Sequence, residues 1–143
     1  EIIWQKSKGA NANFAWGSWL SASNPVIRDI HEYCLVFSKD SMKNSSGGKS
    51  TIEKDEFMES TLSIWNITPE KAKKIGHPAP FPVELPKKFI NLYSFKDDLI
   101  LDPFIGSGTT AVASKLLKRK YVGYEINKNY IEIANNRLKM ETS

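Results

Sequence analysis

The segment Leu99-Ile100-Leu101-Asp102-Pro103-Phe104-Ile105-Gly106-Ser107-Gly108-Thr109-Thr110-Ala111 constrains this chain more than any other. An apolar run ends in two glycines and gives way to a stretch rich in Ala, Val and Leu. Gly106, Gly108 and Ala111 meet the pattern G-x-G-x-x-G/A that joins a strand to a helix. Gly106 permits a turn that a side chain would obstruct, and Gly108 lets ligand atoms approach the backbone. A helix opening at Thr109 aims unpaired N–H groups and its positive end at that ligand, which favours a phosphate or a carboxylate. Glu125 closes the next apolar run, nineteen residues after Gly106. In nucleoside-binding βαβ units an acid at about 20 residues' distance accepts hydrogen bonds from ribose hydroxyls. The competing reading is a tight turn with Glu125 as a favourable charge at the start of the last helix. Strand, turn, helix, strand, acid and helix in this order favour a nucleoside. The pyrophosphate of NAD and the carboxylate of S-adenosylmethionine both suit the turn, and these residue types leave the choice open.

The rest of the chain supplies the surroundings of that unit. Apolar spacing predicts a strand at residues 2–4 and another at 32–38, an antiparallel pair joined by a long loop over 6–29. Residues 40–50 are polar, low in complexity and expected to be mobile. Helical spacing follows over 51–62, an extended piece over 63–67 and a short helical stretch over 69–74. Three prolines within residues 77–82 exclude regular structure there. A helix is predicted over 84–93. Residues 99–101 read as a buried strand, 109–117 as a helix, 121–124 as a strand parallel to the first, and 128–139 as the closing helix. The class is α/β.

Composition narrows the function by exclusion. No apolar run nears the roughly 20 residues of a membrane span. The single cysteine, Cys34, excludes an internal disulfide and a cysteine-based zinc cluster, and its apolar neighbours suggest a small core residue rather than a nucleophile. A cytoplasmic location is the expectation drawn from this cysteine usage. No metal-ligand cluster is visible. A net charge of +4 permits a polyanionic partner without requiring one.

Several segments together resemble one family. Asp102-Pro-Phe-Ile-Gly-Ser-Gly-Thr-Thr110 is similar to the cofactor motif of the amino-methyltransferases that modify adenine N6 or cytosine N4 in DNA. His77-Pro-Ala-Pro-Phe-Pro82 with Glu84-Leu85-Pro86 resembles the segment preceding that motif, and Gly123-Tyr124-Glu125-Ile126 its ribose-binding acid. Trp16-Gly-Ser-Trp19, Ser23-Asn-Pro25, Arg28-Asp-Ile-His-Glu-Tyr33 and Val36-Phe-Ser-Lys39 resemble the β-class of these enzymes, in which the catalytic half precedes the cofactor half.

The resemblance implies a Rossmann-like class I methyltransferase fold, here the C-terminal portion of a seven-stranded mixed sheet, and S-adenosyl-L-methionine as cofactor. Within a single domain, residues 1–39 would hold late strands and a base-flipping loop. Residues 40–67 would form a short target-recognition segment, and 77–143 the cofactor-binding part. His77, Pro78 and Phe81 would cover the cofactor, although a loop histidine bonded to backbone explains His77 equally well. The backbone around Phe104, Gly106 and Gly108 would cradle its methionine half, Asp102, Pro103, Ser107 and Thr109 would also bind the cofactor, and Glu125 would hold the ribose. Trp16, Trp19 and Arg28 are expected near the base and phosphates of double-stranded DNA, with loop packing as the plainer role for each tryptophan.

The family's catalytic tetrapeptide, Asp/Asn/Ser-Pro-Pro-Tyr/Phe, does not occur in these residues. It is expected before Glu1, with the chain entering at about the sixth strand of the sheet. No residue here is therefore expected to be catalytic, and the piece alone is expected to be inactive. Three other readings stay open. One is a cofactor-binding subunit, in a homodimer or with a second chain supplying the missing half. The others are an RNA methyltransferase and an NAD-dependent oxidoreductase.

Overall fold

The computed structural model describes residues 1–6, 17–41, 43–44, 47–70 and 81–140. Residues 71–74 of the expected helical stretch over 69–74, and 77–80 of the proline segment over 77–82, lie outside them. The chain forms two compact units, Glu1–Val36 with Leu62–Thr68, and Phe37–Thr61 with Pro69–Ser143.

The first unit is a mixed three-stranded sheet. Strand β1 (Ile2–Gln5) lies between β2 (His31–Cys34), antiparallel to it, and β3 (Ile64–Asn66), parallel to it. Side chains alternate across a strand, so Ile2 and Trp4 go inward while Ile3 and Gln5 lie at intermediate depth. Trp4 pairs in register with Trp65, and both are buried. The Trp4 indole can be buried because its Nε1–H donates to the Ile67 carbonyl at 2.8 Å. The expected strand over 32–38 stops at Cys34. In the ladder Ile2 lies opposite Cys34 and Gln5 opposite His31.

Desolvation first, and Glu32 second, push the half-buried Cys34 thiol up. A raised thiol is less ionised at a given pH, and only the thiolate is nucleophilic. Alkylation of Cys34 in the folded protein is therefore expected to lag a free cysteine at about pH 8 and to keep rising past the usual thiol range near 8.5. Labelling followed by mass spectrometry checks this, and a rate that levels off below about pH 8 would contradict it.

In the second unit, α1 (Lys54–Ser60), α2 (Glu84–Tyr93), α3 (Thr109–Leu116) and α4 (Lys128–Met140) accompany two parallel strands, β4 (Leu99–Asp102) and β5 (Lys120–Gly123). The described part of the 40–50 stretch contains no helix or strand. Helix α1 starts later than its apolar spacing suggested. The Thr51 hydroxyl is committed to Asn91 and Arg119, and Glu53 stands at the N-cap in extended backbone. Helix α3 is the centre of the core: Ala111, Val112, Ala113 and Ser114 are almost fully buried. Their small volume lets α3 approach α2, α4 and β5 together.

One expectation is corrected. The strand over 99–101 is not buried, for Leu99 is 62% and Leu101 60% exposed. Strand periodicity puts both on one face, with exposed Val122 beside Leu101 in register. Among the described residues that face is left to solvent.

Candidate cofactor site

The turn between β4 and α3 is fixed by the parallel ladder running on past both strands. Tyr124 N–H donates to the Asp102 carbonyl at 3.1 Å, and Ile105 N–H to the Tyr124 carbonyl at 3.0 Å. The Asp102 carboxylate accepts the Phe104 N–H at 3.0 Å, an Asx-type turn that starts the change of direction. Gly106 and Gly108 have φ of 51° and 83°, in the left-handed region that favours glycine. Gly108 is also the N-cap of α3, and no side chain caps that helix. Its leading N–H groups have no intrahelical acceptor, which suits an anionic ligand.

Glu125 is joined directly to the turn. One carboxylate oxygen accepts Gly106 N–H at 3.1 Å, and the other accepts Asn127 N–H at 2.8 Å, just ahead of α4. These bonds are those of the turn and helix-start reading: Glu125 steadies the glycine turn and the entry to the last helix. A carboxylate has about four lone-pair sites, so ribose hydroxyls can be accepted in addition.

Gly108 meets a packing demand in addition to the sequence expectation. A Cβ there would come within 2.7 Å of Ala134 Cβ and 3.0 Å of Ala134 Cα. Its lack of a side chain makes room for α4, an identified packing demand beside any need for ligand approach. Gly123 behaves alike, because a Cβ would run into the Ile105 side chain. A cleft of about 280 Å³ opens here, lined among others by Ile105, Gly123, Tyr124, Glu125, Ala134 and Asn135. A larger hollow of about 560 Å³ lies among Glu56, Glu59, Glu84 and Lys88, away from the turn, and includes none of its residues.

Asp102, Pro103, Phe104, Gly106, Ser107, Gly108, Thr109 and Glu125 thus gather at one turn. Phe104 stands out at 88% exposure, next to the buried Ser107 and Thr109. Phe81 is half-buried at the entry to α2. His77, Pro78 and Trp16 lie outside the described residues. Trp19 and Arg28 are exposed in the first unit, on a loop steadied by Val26 N–H donating to the Ser18 hydroxyl at 3.0 Å. Sequence reasoning missed Arg137 and Ala134, which meet the turn from α4. Only their spacing of three, one helical face, could have hinted at a shared role. Among the described residues no group of three or more His, Cys, Asp or Glu side chains could hold a metal ion. Nor is any helix among them long and apolar enough to cross a membrane.

The sequence matches the family model described as DNA methylase over residues 1–136. The type II methyltransferase M.MthZI of Methanothermobacter thermautotrophicus is 30% identical over 150 residues, covering 96% of this chain and 42% of that protein. A structure described as a DNA modification methylase of Thermus thermophilus, in complex with S-adenosyl-L-methionine, superposes with a TM-score of 0.68. It is 26% identical, and the match covers 99% of this chain and 52% of that one. The PvuII DNA methyltransferase (cytosine-N4-specific) shares the fold, with a TM-score of 0.69 at 23% identity over 95% of this chain and 49% of that one. The chain spans about half the length, or less, of the relatives it matches. The fold is thus the Rossmann-like fold of class I methyltransferases, represented here by part of its sheet, and the chain belongs to the DNA methylase family.

Proposed function

We propose that this chain is the S-adenosyl-L-methionine-binding part of a site-specific DNA methyltransferase. That enzyme would methylate the exocyclic amino nitrogen of cytosine (N4) or adenine (N6), within a restriction-modification system. The observation that carries the reading is the glycine turn tied to Glu125 in a chain matched to the DNA methylase family over residues 1–136. The turn fits the cofactor. The uncapped start of α3 suits the methionine carboxylate, and Glu125 suits the ribose hydroxyls. Exposed Phe104 and Ile126 offer apolar faces nearby for an adenine ring.

Bound there, S-adenosyl-L-methionine supplies an electrophilic methyl group. This chain's residues hold the donor and orient it, which is where much of such catalysis lies. His77, Pro78 and Phe81 would cover it. Hydrogen-bonding to the acceptor amino group belongs to an Asp/Asn/Ser-Pro-Pro-Tyr/Phe tetrapeptide that these residues do not contain. Trp16, Trp19 and Arg28 engage a flipped base and its phosphates on double-stranded DNA, and residues 40–67 contribute to target recognition. A cytoplasmic location accords with this role.

Calorimetry tests the donor: S-adenosylhomocysteine should bind and NAD should not. Transfer of tritiated methyl groups by the full natural protein tests the acceptor, with DNA labelled and RNA not. Binding of NAD alone, or labelling of RNA alone, would overturn the assignment. A cofactor-binding subunit that needs a partner is the second reading. Methyl transfer to DNA by this chain alone would exclude it.

A further inference from the structure

Helix α4 meets the glycine turn through two residues on one face. Ala134 packs against Gly108. One turn later stands Arg137, only 9% exposed near the end of the helix. Its Nη1 donates to the Ser107 carbonyl at 3.0 Å, to the Ser107 hydroxyl at 3.3 Å and to the Thr109 hydroxyl at 3.0 Å. The guanidinium thus grips both neighbours of Gly108, which are themselves 3% exposed. The plain role for an arginine in a last helical turn is to offset the helix dipole from solvent. A buried side chain aimed at a loop thirty residues earlier exceeds that role.

The chemistry of the pairing has a direction. A guanidinium is always charged and only donates. Each hydroxyl facing it must therefore accept, and its own proton turns elsewhere, as a donor made more acidic by the charge behind it. We infer that Arg137 is a positioning residue for the cofactor: by holding Ser107 and Thr109 from behind, it sets the shape of the glycine turn that receives the carboxylate of the amino-acid half. This inference rests on the S-adenosyl-L-methionine reading above.

Two ligands separate that role from simple structural support. S-adenosylhomocysteine carries the carboxylate, and methylthioadenosine keeps the adenosine and sulfur without it. Both are titrated calorimetrically into the full natural protein and its Arg137→Gln and Arg137→Lys variants. Arg137→Gln is expected to weaken S-adenosylhomocysteine about ten-fold and methylthioadenosine less than about two-fold, as losing one charge-assisted contact implies. Arg137→Lys, which keeps the charge without the fork, should recover part of the loss. If Arg137→Gln does not fold, Thr109→Val keeps the side-chain shape and removes one of the hydroxyls that Arg137 holds, and must show the same selectivity. Equal weakening of both ligands, or none, overturns the role of Arg137 while leaving the cofactor reading intact. Failure of the unmutated protein to bind S-adenosylhomocysteine overturns both.

Discussion

Replacing Gly108 by alanine is expected to cost about 2–5 kcal/mol of stability and most of the affinity for the methyl donor. Two independent penalties add up to that figure. A φ of 83° puts an L-residue in the left-handed region, at about 1–2 kcal/mol. The new Cβ would also lie 2.7 Å from Ala134 Cβ and 3.0 Å from Ala134 Cα. Overpacking of this kind costs about 1–3 kcal/mol. The second contact is with backbone, so a side-chain rotation cannot relieve it. Two further variants separate the penalties. Gly47 has a φ of 69° with nothing within 4 Å of a Cβ, so Gly47→Ala should cost only the conformational share, about 1–2 kcal/mol. Ala134→Gly removes one collision partner, so the Gly108→Ala, Ala134→Gly pair should lose less than the two single losses combined. Denaturant midpoints at constant slope measure the four variants against the parent. Strict additivity, or a Gly108→Ala variant within about 1 kcal/mol of the parent, would remove the packing explanation.

What could be read in advance follows from the range of the interactions. Strand, turn and helix at residues 99–116 are local patterns, and the glycine turn was legible together with its acid nineteen residues on. Helix α2 was equally legible, since Leu85, Phe89, Ile90 and Tyr93 keep helical spacing. Its buried side was not, because it includes Lys88 and Asn91 while Tyr93 is exposed. Lys88 is buried beside the Ser60 hydroxyl at 3.3 Å and Glu59 at 3.6 Å, residues of another helix. Periodicity counts apolar side chains and is blind to a charge whose partners come from elsewhere. Leu99 and Leu101 erred in the opposite direction. Their apolarity signals a face that some element could cover, but sequence alone does not say which. At the site, the residues near the turn were found from the motif. Arg137 was not, because thirty residues separate it from Ser107 and a lysine- and arginine-containing helix end looks solvated.

Arg119 is the second position where a large effect is expected. It stands just before β5 with 4% of its surface exposed. Nε donates to the Ser94 hydroxyl at 3.1 Å, Nη2 to the Ser94 carbonyl at 2.8 Å, and Nη1 to the Leu117 carbonyl at 2.6 Å and to the Thr51 hydroxyl. The network continues from Thr51 to Asn91 and from Asn91 to Glu56. One side chain thereby joins the residue before β5 to the end of α2 and, through two more, to α1. Burial lowers the guanidinium pKa, and Asp98 and then Asp97 oppose that shift. Both acids thus help keep the charge in place. Arg119→Met preserves most of the length but removes every donor, leaving buried carbonyl and hydroxyl groups without their partner. Hydrogen bonds to charged groups are worth about 1.5–3 kcal/mol each and are not additive, so the variant should lose about 3–5 kcal/mol. Arg119→Lys supplies one point donor where a planar fork is needed, and should recover less than half of that. Because Thr51 and Asn91 belong to the same network, Thr51→Val should cost little more in the Arg119→Met background. Urea unfolding measures these differences. A Thr51→Val effect of equal size in both backgrounds would show that the network does not act as a unit.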